Sequence, residues 1–308
     1  MVRKLIIIGS GPAGYTAAVY AARAELKPLV LAGEKSGGQL MNTGAVENWP
    51  GTKEGVMGPE LMIEMRQQAV KFGAEMVDKQ VTKVDLSQRP FKVWAGEEIY
   101  EAEAVIVATG AESVMSGVPG EKELLGRGVA TCAVCDAPFY RDKVAYVIGG
   151  GDAAVEDALA LTKHAKEVYL VHRRDELRAS KIMVKRVKEN EKIKILWNTE
   201  LKEVLGKDKV EKIKVRDNQS GEEKELVADG VFLAIGHKPA TEMFKNQLTL
   251  DEKGYIKISM EYPIVTQTNI QGVFAAGDVV DYRYKQAVTA AGMGCQAALD
   301  AEKYLEQQ

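Results

Sequence analysis

The sequence has little cysteine, no long apolar run and almost no net charge, and each absence excludes a class of protein. Three cysteines among 308 residues are too few for a disulfide-framed secreted fold. No stretch reaches the roughly 20 apolar residues that a membrane-spanning helix needs. The 41 basic and 44 acidic residues give a formal charge of −3, which leaves no strong field to hold nucleic acid or a membrane surface.

The first apolar run, Leu5–Ile8, is shorter than the core of a secretory signal, which needs about 7–15 residues. A buried parallel strand fits this run better. With few cysteines and no export signal, the chain is predicted to be cytoplasmic. A hydrophobic fraction of 46% suffices for packed cores, and the length predicts two domains.

Glycine is abundant, with 29 residues that cluster in the chain. A strand predicted at Lys4–Ile8 runs into Gly9-Ser10-Gly11-Pro12-Ala13-Gly14, and an alanine-rich helical segment follows. In such a motif the first glycine allows a tight turn, the second lets a pyrophosphate approach, and the third lets helix pack on strand. Glu34 stands near the position of a ribose-binding acid. An ordinary glycine turn is the alternative, which this context disfavours.

The pattern repeats in the middle of the chain. A strand predicted at Val144–Ile148 leads into Gly149-Gly150-Gly151-Asp152-Ala153-Ala154, and a later strand runs into His172-Arg173-Arg174. Arg174 stands where an NAD site carries an acid, and Arg178 is within reach of the same group if a helix begins there. Because arginine binds a 2′-phosphate through paired hydrogen bonds, this site is predicted to prefer NADP. A solvated helix start is the alternative for the basic cluster.

Three further strand-to-glycine segments show how the two nucleotide folds are arranged. Glu103–Gly110 and Gly230–Gly236 each close one unit, and Gly272–Asp278 comes late in the chain. We therefore predict an α/β fold of two Rossmann-like dinucleotide-binding domains, with the second inserted into a discontinuous first. The predicted boundaries are 1–113 and 241–308 for the split domain and 114–240 for the inserted one.

Cys132 and Cys135 are separated by two residues and precede the second nucleotide strand. A zinc site would need two more ligands, and neither Cys295 nor the three scattered histidines have ligand spacing. A structural disulfide is disfavoured in a reducing compartment. A redox-active disulfide remains, and Asp136 beside it can carry a proton to or from a thiolate. Cys295 is predicted to be a small buried residue at a helix start.

The chemistry of the cysteine pair indicates a second cofactor. A nicotinamide delivers hydride, and hydride does not pass readily to a disulfide. A flavin accepts hydride and can then react with sulfur, so it can connect the two. The first nucleotide site is therefore predicted to hold FAD and the second NADPH.

Together these residues form a family pattern. The motifs that carry it are Gly9–Gly14, Gly37-Gly38-Gln39-Leu40, Val46-Glu47-Asn48-Trp49-Pro50-Gly51, Cys132-Ala133-Val134-Cys135-Asp136, His172-Arg173-Arg174 and Gly277-Asp278. Over essentially its full length the chain resembles the bacterial-type low-molecular-weight thioredoxin reductases. It departs from their commonest pattern at Ala137-Pro138, where a glycine is usual, and at Lys285, where arginine is frequent.

The resemblance implies a homodimer that passes electrons from NADPH to FAD, then to the Cys132–Cys135 disulfide and on to thioredoxin. It implies that Cys135 lies nearer the flavin and forms the charge-transfer thiolate, that Cys132 attacks thioredoxin, and that Asp136 is the acid and base. The residues predicted to bind the cofactors are Gly9, Ser10, Gly11, Pro12, Ala13, Gly14, Glu34, Gly38, Gln39, Leu40, Asn48, Val81, Ala108, Thr109, Gly110, Gly149, Gly151, Asp152, Ala153, His172, Arg173, Arg174, Arg178, Ile235, Gly236, Gly277, Asp278, Lys285, Gln286 and Ala287.

Two other functions compete with disulfide reduction. A flavin reductase could feed ferredoxin or a glutaredoxin-like protein, but the ferredoxin type lacks the cysteine pair. A non-catalytic flavin redox sensor would not need the intact nicotinamide site that the second motif predicts.

Overall fold

A computed structural model describes residues 2–43, 45–260 and 263–308 of the chain. The chain forms two units. The first joins Met1–Glu112 to Lys238–Gln308, and the second is the contiguous segment Ser113–His237. The first unit is therefore built from two separate stretches of sequence.

The elements of secondary structure follow one another along three stretches of the chain. The first stretch contains β1 (Val2–Ile8), α1 (Pro12–Arg23), β2 (Leu29–Leu31), a 3₁₀ turn (Gly38–Asn42), β3 (Ala45–Val46), β4 (Val56–Met57), α2 (Gly58–Lys71), β5 (Glu75–Val77), β6 (Val81–Asp85), β7 (Phe91–Ala95), β8 (Glu98–Val107) and β9 (Ala111–Ser113). The middle contains β10 (Val129–Ala130), α3 (Ala133–Asp136), a 3₁₀ turn (Ala137–Tyr140), β11 (Val144–Gly149), α4 (Asp152–Leu161), β12 (Glu167–Val171), α5 (Lys181–Lys188), β13 (Ile193–Leu196), β14 (Thr199–Leu205), β15 (Lys212–Asp217), β16 (Glu223–Val227) and β17 (Gly230–Ala234). The last stretch contains β18 (His237–Pro239), a 3₁₀ turn (Glu242–Phe244), β19 (Val273–Ala275) and α6 (Ala287–Leu305).

The first unit is organised around β1. The strand order is β5-β2-β1-β8-β7-β6, and β8 pairs with two strands along the same edge. Its first half runs antiparallel to β7, and its last three residues run parallel to β19. Because β5, β2, β1, β8 and β19 are parallel, the loops that follow them start at one edge of the sheet.

The apolar run of β1 is buried on both faces, as expected for a central parallel strand. Leu5 and Ile7 pack with the alanines of α1 and α6, whereas Ile6 and Ile8 pack on the opposite face with β7 residues such as Phe91. This alternation follows from the two-residue repeat of a strand. It places one core on each side of the sheet.

Helices α1 and α6 pack closely because small residues line their contact. A Cβ added at Gly294 of α6 would lie 2.1 Å from the carbonyl oxygen of Ala13 in α1. Glycine and alanine therefore allow the two backbones to approach. This packing brings the start of α1, made from the beginning of the chain, against an element made from its end.

The second unit repeats the nucleotide-fold arrangement. Its main sheet has the order β10-β17-β11-β12-β13 with every pairing parallel, and β14-β15-β16 form a separate antiparallel sheet. The loop after β11 begins with the second glycine motif, and the loop after β12 begins with His172. Both loops start at the carboxyl edge of the parallel sheet, where ligands bind in such folds. In the described part of the chain, no helix is long and apolar enough to cross a membrane.

A buried carboxylate, Glu121, fixes the segment that enters the second unit. One oxygen accepts hydrogen bonds from the backbone N–H of Ser116 at 2.8 Å and its hydroxyl at 2.6 Å, and the other accepts from the N–H of Gly117 at 2.7 Å. The Glu121 side chain is completely buried. Its charge is offset by three donors, so the loop and the carboxylate stabilise each other.

The substitution Glu121→Gln is expected to lower the free energy of unfolding by about 1–3 kcal/mol, because the N–H of Ser116 or Gly117 must then face an amide NH₂ at the buried end of residue 121. Urea titration measures this loss. Glu123→Gln removes the same charge from an exposed side chain nearby and serves as the control, with a change within about 0.5 kcal/mol. Equal stability of the two variants would contradict this role for Glu121.

Candidate active site

The first glycine loop, residues 9–14, follows β1 directly and has the backbone geometry that a dinucleotide site needs. Gly9 has φ +111°, and a Cβ there would lie 2.2 Å from the carbonyl oxygen of Ala108. A Cβ at Gly14 would lie 2.1 Å from the Gly9 oxygen. At Gly11, by contrast, a Cβ would meet none of the described atoms within 4 Å. The second glycine therefore opens onto free space at the start of α1, where N–H groups favour a phosphate.

Ser10 fastens this loop to the loop that follows β2. Its buried hydroxyl donates to the carbonyl oxygen of Ala32 at 2.6 Å and accepts from the N–H of Gly37 at 2.9 Å. Gly38 lies against Gly11, since a Cβ on Gly38 would be 3.0 Å from the Gly11 Cα. The structure thus brings the start of the Gly37-Gly38-Gln39-Leu40 motif to the first glycine loop.

Hydrogen bonds from a side chain outside the predicted motifs also hold the loop after β2. Arg66 of α2 donates to the Ser36 hydroxyl at 2.9 Å and forms two hydrogen bonds with the Asp78 carboxylate at 2.6 and 2.7 Å. The Arg66 guanidinium lowers the pKa of Asp78. The three residues lie on different elements at no motif spacing, so a sequence pattern offers no signal for them.

Asp278 follows β19 and is largely removed from water. Burial, with a smaller contribution from Asp281, raises its pKa to about 6. Within the described residues its carboxylate accepts no hydrogen bond. A Cβ at the preceding Gly277 would be 2.8 Å from the Ala13 Cβ, which places Asp278 beside the start of α1. A largely buried carboxylate without a protein donor fits a hydroxyl group of a bound cofactor.

The other residues of the first unit that were predicted to bind a cofactor lie on several different elements and loops. The Asn48 amide donates to Gln286 Oε1 at 3.2 Å, next to the start of α6 at Ala287. The Thr109 hydroxyl bonds the carbonyl oxygen of Ala240 at 2.9 Å. The Val81 side chain is buried in the core, so its backbone is the part able to face a ligand. Pro12 is the half-buried first residue of α1, and the remaining positions are half-buried or exposed loop or turn residues: Glu34, Gln39, Leu40, Gly110 and Lys285.

The second glycine loop, residues 149–154, repeats the geometry of the first. A Cβ at Gly149 would lie 2.5 Å from the Ala234 carbonyl oxygen and 2.7 Å from the Ala154 Cβ. At Gly151 a Cβ would meet no described atom within 4 Å, so this loop also opens at a helix start. Ile235 and Gly236 follow Ala234 directly after β17, and Ala153 lies in the first turn of α4.

The arginine loop, residues 172–180, connects β12 to α5. The condition for Arg178 to lie beside Arg174, a helix that begins there, is not met, since α5 begins at Lys181 with Ser180 as its N-cap residue. The loop is instead tied back to the second glycine loop. The Arg178 N–H donates to the Gly150 oxygen at 2.7 Å, and the Ser180 N–H donates to the Asp152 carboxylate at 2.8 Å.

The arginine side chains of this loop are exposed, whereas His172 is buried. Arg173, Arg174 and Arg178 are accessible beside the second glycine loop, as binding of a 2′-phosphate requires. Both ring nitrogens of His172 lie against backbone carbonyl oxygens. The histidine therefore differs from its arginine neighbours in having no nitrogen directed to a ligand.

Cys132 and Cys135 form a disulfide at the short helix α3. Cys132 is the N-cap residue, and its sulfur accepts a hydrogen bond from the Cys135 N–H at 3.3 Å. Helix N-termini favour negative charge, so this position stabilises a thiolate at Cys132 after reduction. Pro138 occupies the first turn of the following 3₁₀ turn, where its missing N–H costs nothing.

Asp136 lies at the end of α3 and is desolvated. Burial raises its pKa to about 6, well above the usual range for aspartate. A carboxyl with this pKa exchanges a proton readily near neutral pH, as general acid–base catalysis requires. Burial raises the pKa of the Tyr140 hydroxyl, and the charge of the Asp136 carboxylate raises it further.

The third cysteine lies away from any site of this kind. Cys295 was expected at a helix start, but it lies in the middle of α6 and is half-buried. Tyr20 is its hydrogen-bonding neighbour, and this contact raises the tyrosine pKa. Within the described ranges, no group of three or more histidine, cysteine or acidic residues could hold a metal ion.

Comparison with known proteins gives the family of the chain. The family model of the pyridine nucleotide-disulphide oxidoreductases matches residues 3–294. A thioredoxin reductase of Mycolicibacterium smegmatis is 52% identical over 307 residues, covering 100% of this chain and 98% of the relative. One from Streptomyces coelicolor is 53% identical and covers 99% and 94%.

A solved structure gives the same result for the fold. The thioredoxin reductase of Streptococcus pyogenes matches with a TM-score of 0.94 and 40% identity, covering 100% of this chain and 99% of that one. Sequence identity of about half over the full length, together with two nucleotide folds and a Cys-x-x-Cys disulfide, assigns the family. The chain therefore belongs to the thioredoxin reductases, which are FAD- and NADPH-dependent members of the pyridine nucleotide-disulphide oxidoreductase family.

Proposed function

We propose that this chain reduces the disulfide of thioredoxin with electrons from NADPH, which pass over FAD and the Cys132–Cys135 pair. The observation that carries the proposal is a disulfide beside a desolvated carboxyl, in the same unit as an arginine-bearing nucleotide loop. When bound, FAD accepts hydride from NADPH and delivers two electrons to the disulfide. The other steps depend on residues of the chain itself.

The first unit supplies the FAD site and the second the NADPH site. The opening at Gly11, the start of α1 and the carboxylate of Asp278 support the first assignment. The opening at Gly151 and the exposed arginines of the arginine loop support the second, because guanidinium groups pair with a 2′-phosphate. In each unit the phosphate would meet N–H groups at a helix start.

Reduction of the partner then proceeds by thiol–disulfide exchange. The Cys132 thiolate, stabilised at the start of α3, attacks one sulfur of the partner disulfide and forms a mixed disulfide. The released partner sulfur takes a proton. The Cys135 thiolate next attacks Cys132, which restores the Cys132–Cys135 bond and releases the second partner sulfur. Asp136 donates and accepts the protons, a role that its raised pKa supports.

The surface near the disulfide suits a protein acceptor. Val134, between the two cysteines, is 63% exposed, and Phe139 is 38% exposed. Apolar side chains at such positions contribute buried area when a folded partner docks. A small soluble acceptor would gain little from them.

The proposal extends to the compartment and the oligomeric state of the protein. The disulfide must open and close in every cycle, which requires a compartment that keeps thiols reducible, so the chain is proposed to act in the cytoplasm. It is also proposed to act as a homodimer, as the resemblance to the family implies. Light scattering on the FAD-loaded protein measures the mass, and a monomer mass would contradict the dimer.

The activity is tested by following NADPH oxidation with thioredoxin, a glutaredoxin-like protein or ferredoxin as the acceptor. We expect rapid oxidation with oxidised thioredoxin and slow oxidation without an acceptor. Faster turnover with ferredoxin than with thioredoxin would contradict the proposed function. Faster turnover with a glutaredoxin-like protein would retain disulfide reduction and replace the partner.

A further inference from the structure

His172 is the first residue after β12, and its side chain is buried with both ring nitrogens in contact with the backbone. It is 4% exposed. Its Nδ1 lies 2.9 Å from the carbonyl oxygen of Gly149, and its Nε2 lies 2.9 Å from the carbonyl oxygen of Glu176. The ring therefore bridges the second glycine loop and the middle of the arginine loop.

The two contacts of His172 involve both nitrogens of its ring. Each nitrogen lies at hydrogen-bond distance from a backbone carbonyl oxygen, one before and one after His172 in the chain. Neither nitrogen is therefore left for a phosphate.

The charged side chains next to His172 in the sequence are exposed, whereas the His172 ring is buried. Arg173, Arg174, Asp175 and Glu176 on the same loop are all exposed, and their charges of both signs are screened by solvent. The ring is buried, and its neighbours include the two carbonyl oxygens and Trp197, which it meets edge-on at 6.3 Å between ring centres. The contacts with the two carbonyl oxygens are therefore the main polar interactions of the ring.

Gly150 makes room for this ring. A Cβ at Gly150 would lie 2.2 Å from the Nδ1 and Cε1 atoms of His172, although the φ of this glycine is outside the left-handed region. Its backbone conformation is therefore open to other residues, and the histidine ring excludes them. In the first glycine loop the same motif position carries Ser10, which ties that loop to Ala32 and Gly37.

In each nucleotide fold a side chain connects the glycine loop to the loop after the second strand. The two folds differ in which of these loops carries that side chain. In the first fold a side chain of the glycine loop reaches the loop after the second strand. In the second fold His172, on the loop after the second strand, reaches back over a glycine. Each tying side chain is 4% exposed and contacts backbone atoms.

We propose that His172 is a positioning residue of the NADPH site, a buried side chain that holds the arginine loop against the second glycine loop. The proposal rests on the assignment of the second unit to NADPH. Through this tie, the guanidinium groups that meet the 2′-phosphate keep a fixed distance from the N–H groups that meet the pyrophosphate. His172 acts through the loops and makes no contact with the nucleotide.

The ring itself is observed by nitrogen NMR of the FAD-loaded protein with ¹⁵N-labelled histidine. The chain has three histidines, so His172→Ala identifies the signals by their loss. Gly150→Ala should shift the ring-nitrogen signals of His172, because a Cβ at residue 150 would lie 2.2 Å from the ring. Unchanged His172 signals in this variant would overturn the tie, whatever the protein binds.

Equilibrium binding of 2′,5′-ADP and 5′-AMP to the same protein separates the 2′-phosphate contribution. His172→Ala is expected to weaken 2′,5′-ADP binding about tenfold, equivalent to about one hydrogen bond, and 5′-AMP binding less than about threefold. His172→Gln, which can donate to one carbonyl, should give an intermediate loss. Equal losses for both ligands, or no loss for either, would overturn the proposal.

Gly150→Ala provides an independent variant that leaves the histidine in the sequence. It should displace the ring and reproduce the loss of His172→Ala, and it should add nothing in the His172→Ala background. Additive losses would contradict the steric link. Arg174→Ala is the control, with weaker 2′,5′-ADP binding and unchanged histidine signals. If the unaltered protein does not prefer 2′,5′-ADP, the proposed NADPH assignment fails, and the NMR spectrum still decides the tie.

Discussion

Cys135→Ser is expected to lower thioredoxin-dependent NADPH oxidation by at least about a thousandfold, because a serine cannot close the disulfide with Cys132. Cys132→Ser should cause a similar loss. Both variants should retain oxidation of NADPH by ferricyanide, which takes electrons without a disulfide. This difference separates the loss of the cysteine pair from the loss of a cofactor.

The same pair of variants distinguishes the roles of the two cysteines. With thioredoxin whose reactive sulfur carries a thionitrobenzoate leaving group, an attacking thiolate releases the coloured thiol and forms a mixed disulfide. Cys135→Ser, which keeps Cys132, should form this adduct rapidly, and Cys132→Ser should form it slowly. The reverse order would contradict the assignment of Cys132 as the attacking residue.

Cys295→Ser is the matched control because it makes the same chemical change outside the pair. Cys295 lies in the middle of α6 in the other unit. Its variant should turn over within about twofold of the unaltered protein, as expected for a substitution away from the reacting groups. A large loss would show that the cysteine-to-serine change acts through folding.

Asp136→Asn is expected to reduce thioredoxin-dependent turnover by about 10²–10³-fold at neutral pH, the usual contribution of a positioned proton carrier. An amide has the size of the carboxyl but exchanges no proton. Because burial raises the pKa of Asp136 to about 6, the rate of the unaltered protein should change near that pH. The variant should lack this inflection. An inflection retained at the same pH would assign the proton transfer to another group.

The same substitution should stabilise the fold at higher pH. A carboxyl whose pKa rises from 3.8 to about 6 on folding favours the protonated form, so its contribution to stability falls as the pH rises through that window. Between pH 4 and pH 6 the unaltered protein should lose about 2 kcal/mol relative to Asp136→Asn. Urea unfolding at both pH values measures the difference. Asp208→Asn, on an exposed loop, should show none of it.

Sequence patterns predicted the elements whose physical requirements are local. The run Leu5–Ile8 predicted a strand buried on both faces, and β1 confirms it. Two glycine motifs, each between a strand and an alanine-rich segment, predicted the two nucleotide folds. In each case neighbouring residues in the chain determine the structure, so spacing is sufficient.

Other features depend on contacts between distant elements, and spacing did not reveal them. Glu121 stands in a charged stretch typical of a surface, yet three donors allow its burial. The glycines beside Cys295 suggested a helix start, but α6 continues through them because Gly294 must pack against the Ala13 backbone. Spacing left open whether a helix carries Arg174 and Arg178, and the helix begins only after Ser180.

The split of the first unit has a consequence for synthesis of the chain. The second unit is one contiguous segment, so all of its strands are available once residue 237 has been made. The first glycine loop is made at the start, but β19, Gly277 and α6, which pack beside it, come last. During translation, domains tend to fold as their segments emerge, so the inserted unit is expected to form first. The flavin site can be completed only when nearly the whole chain has left the ribosome.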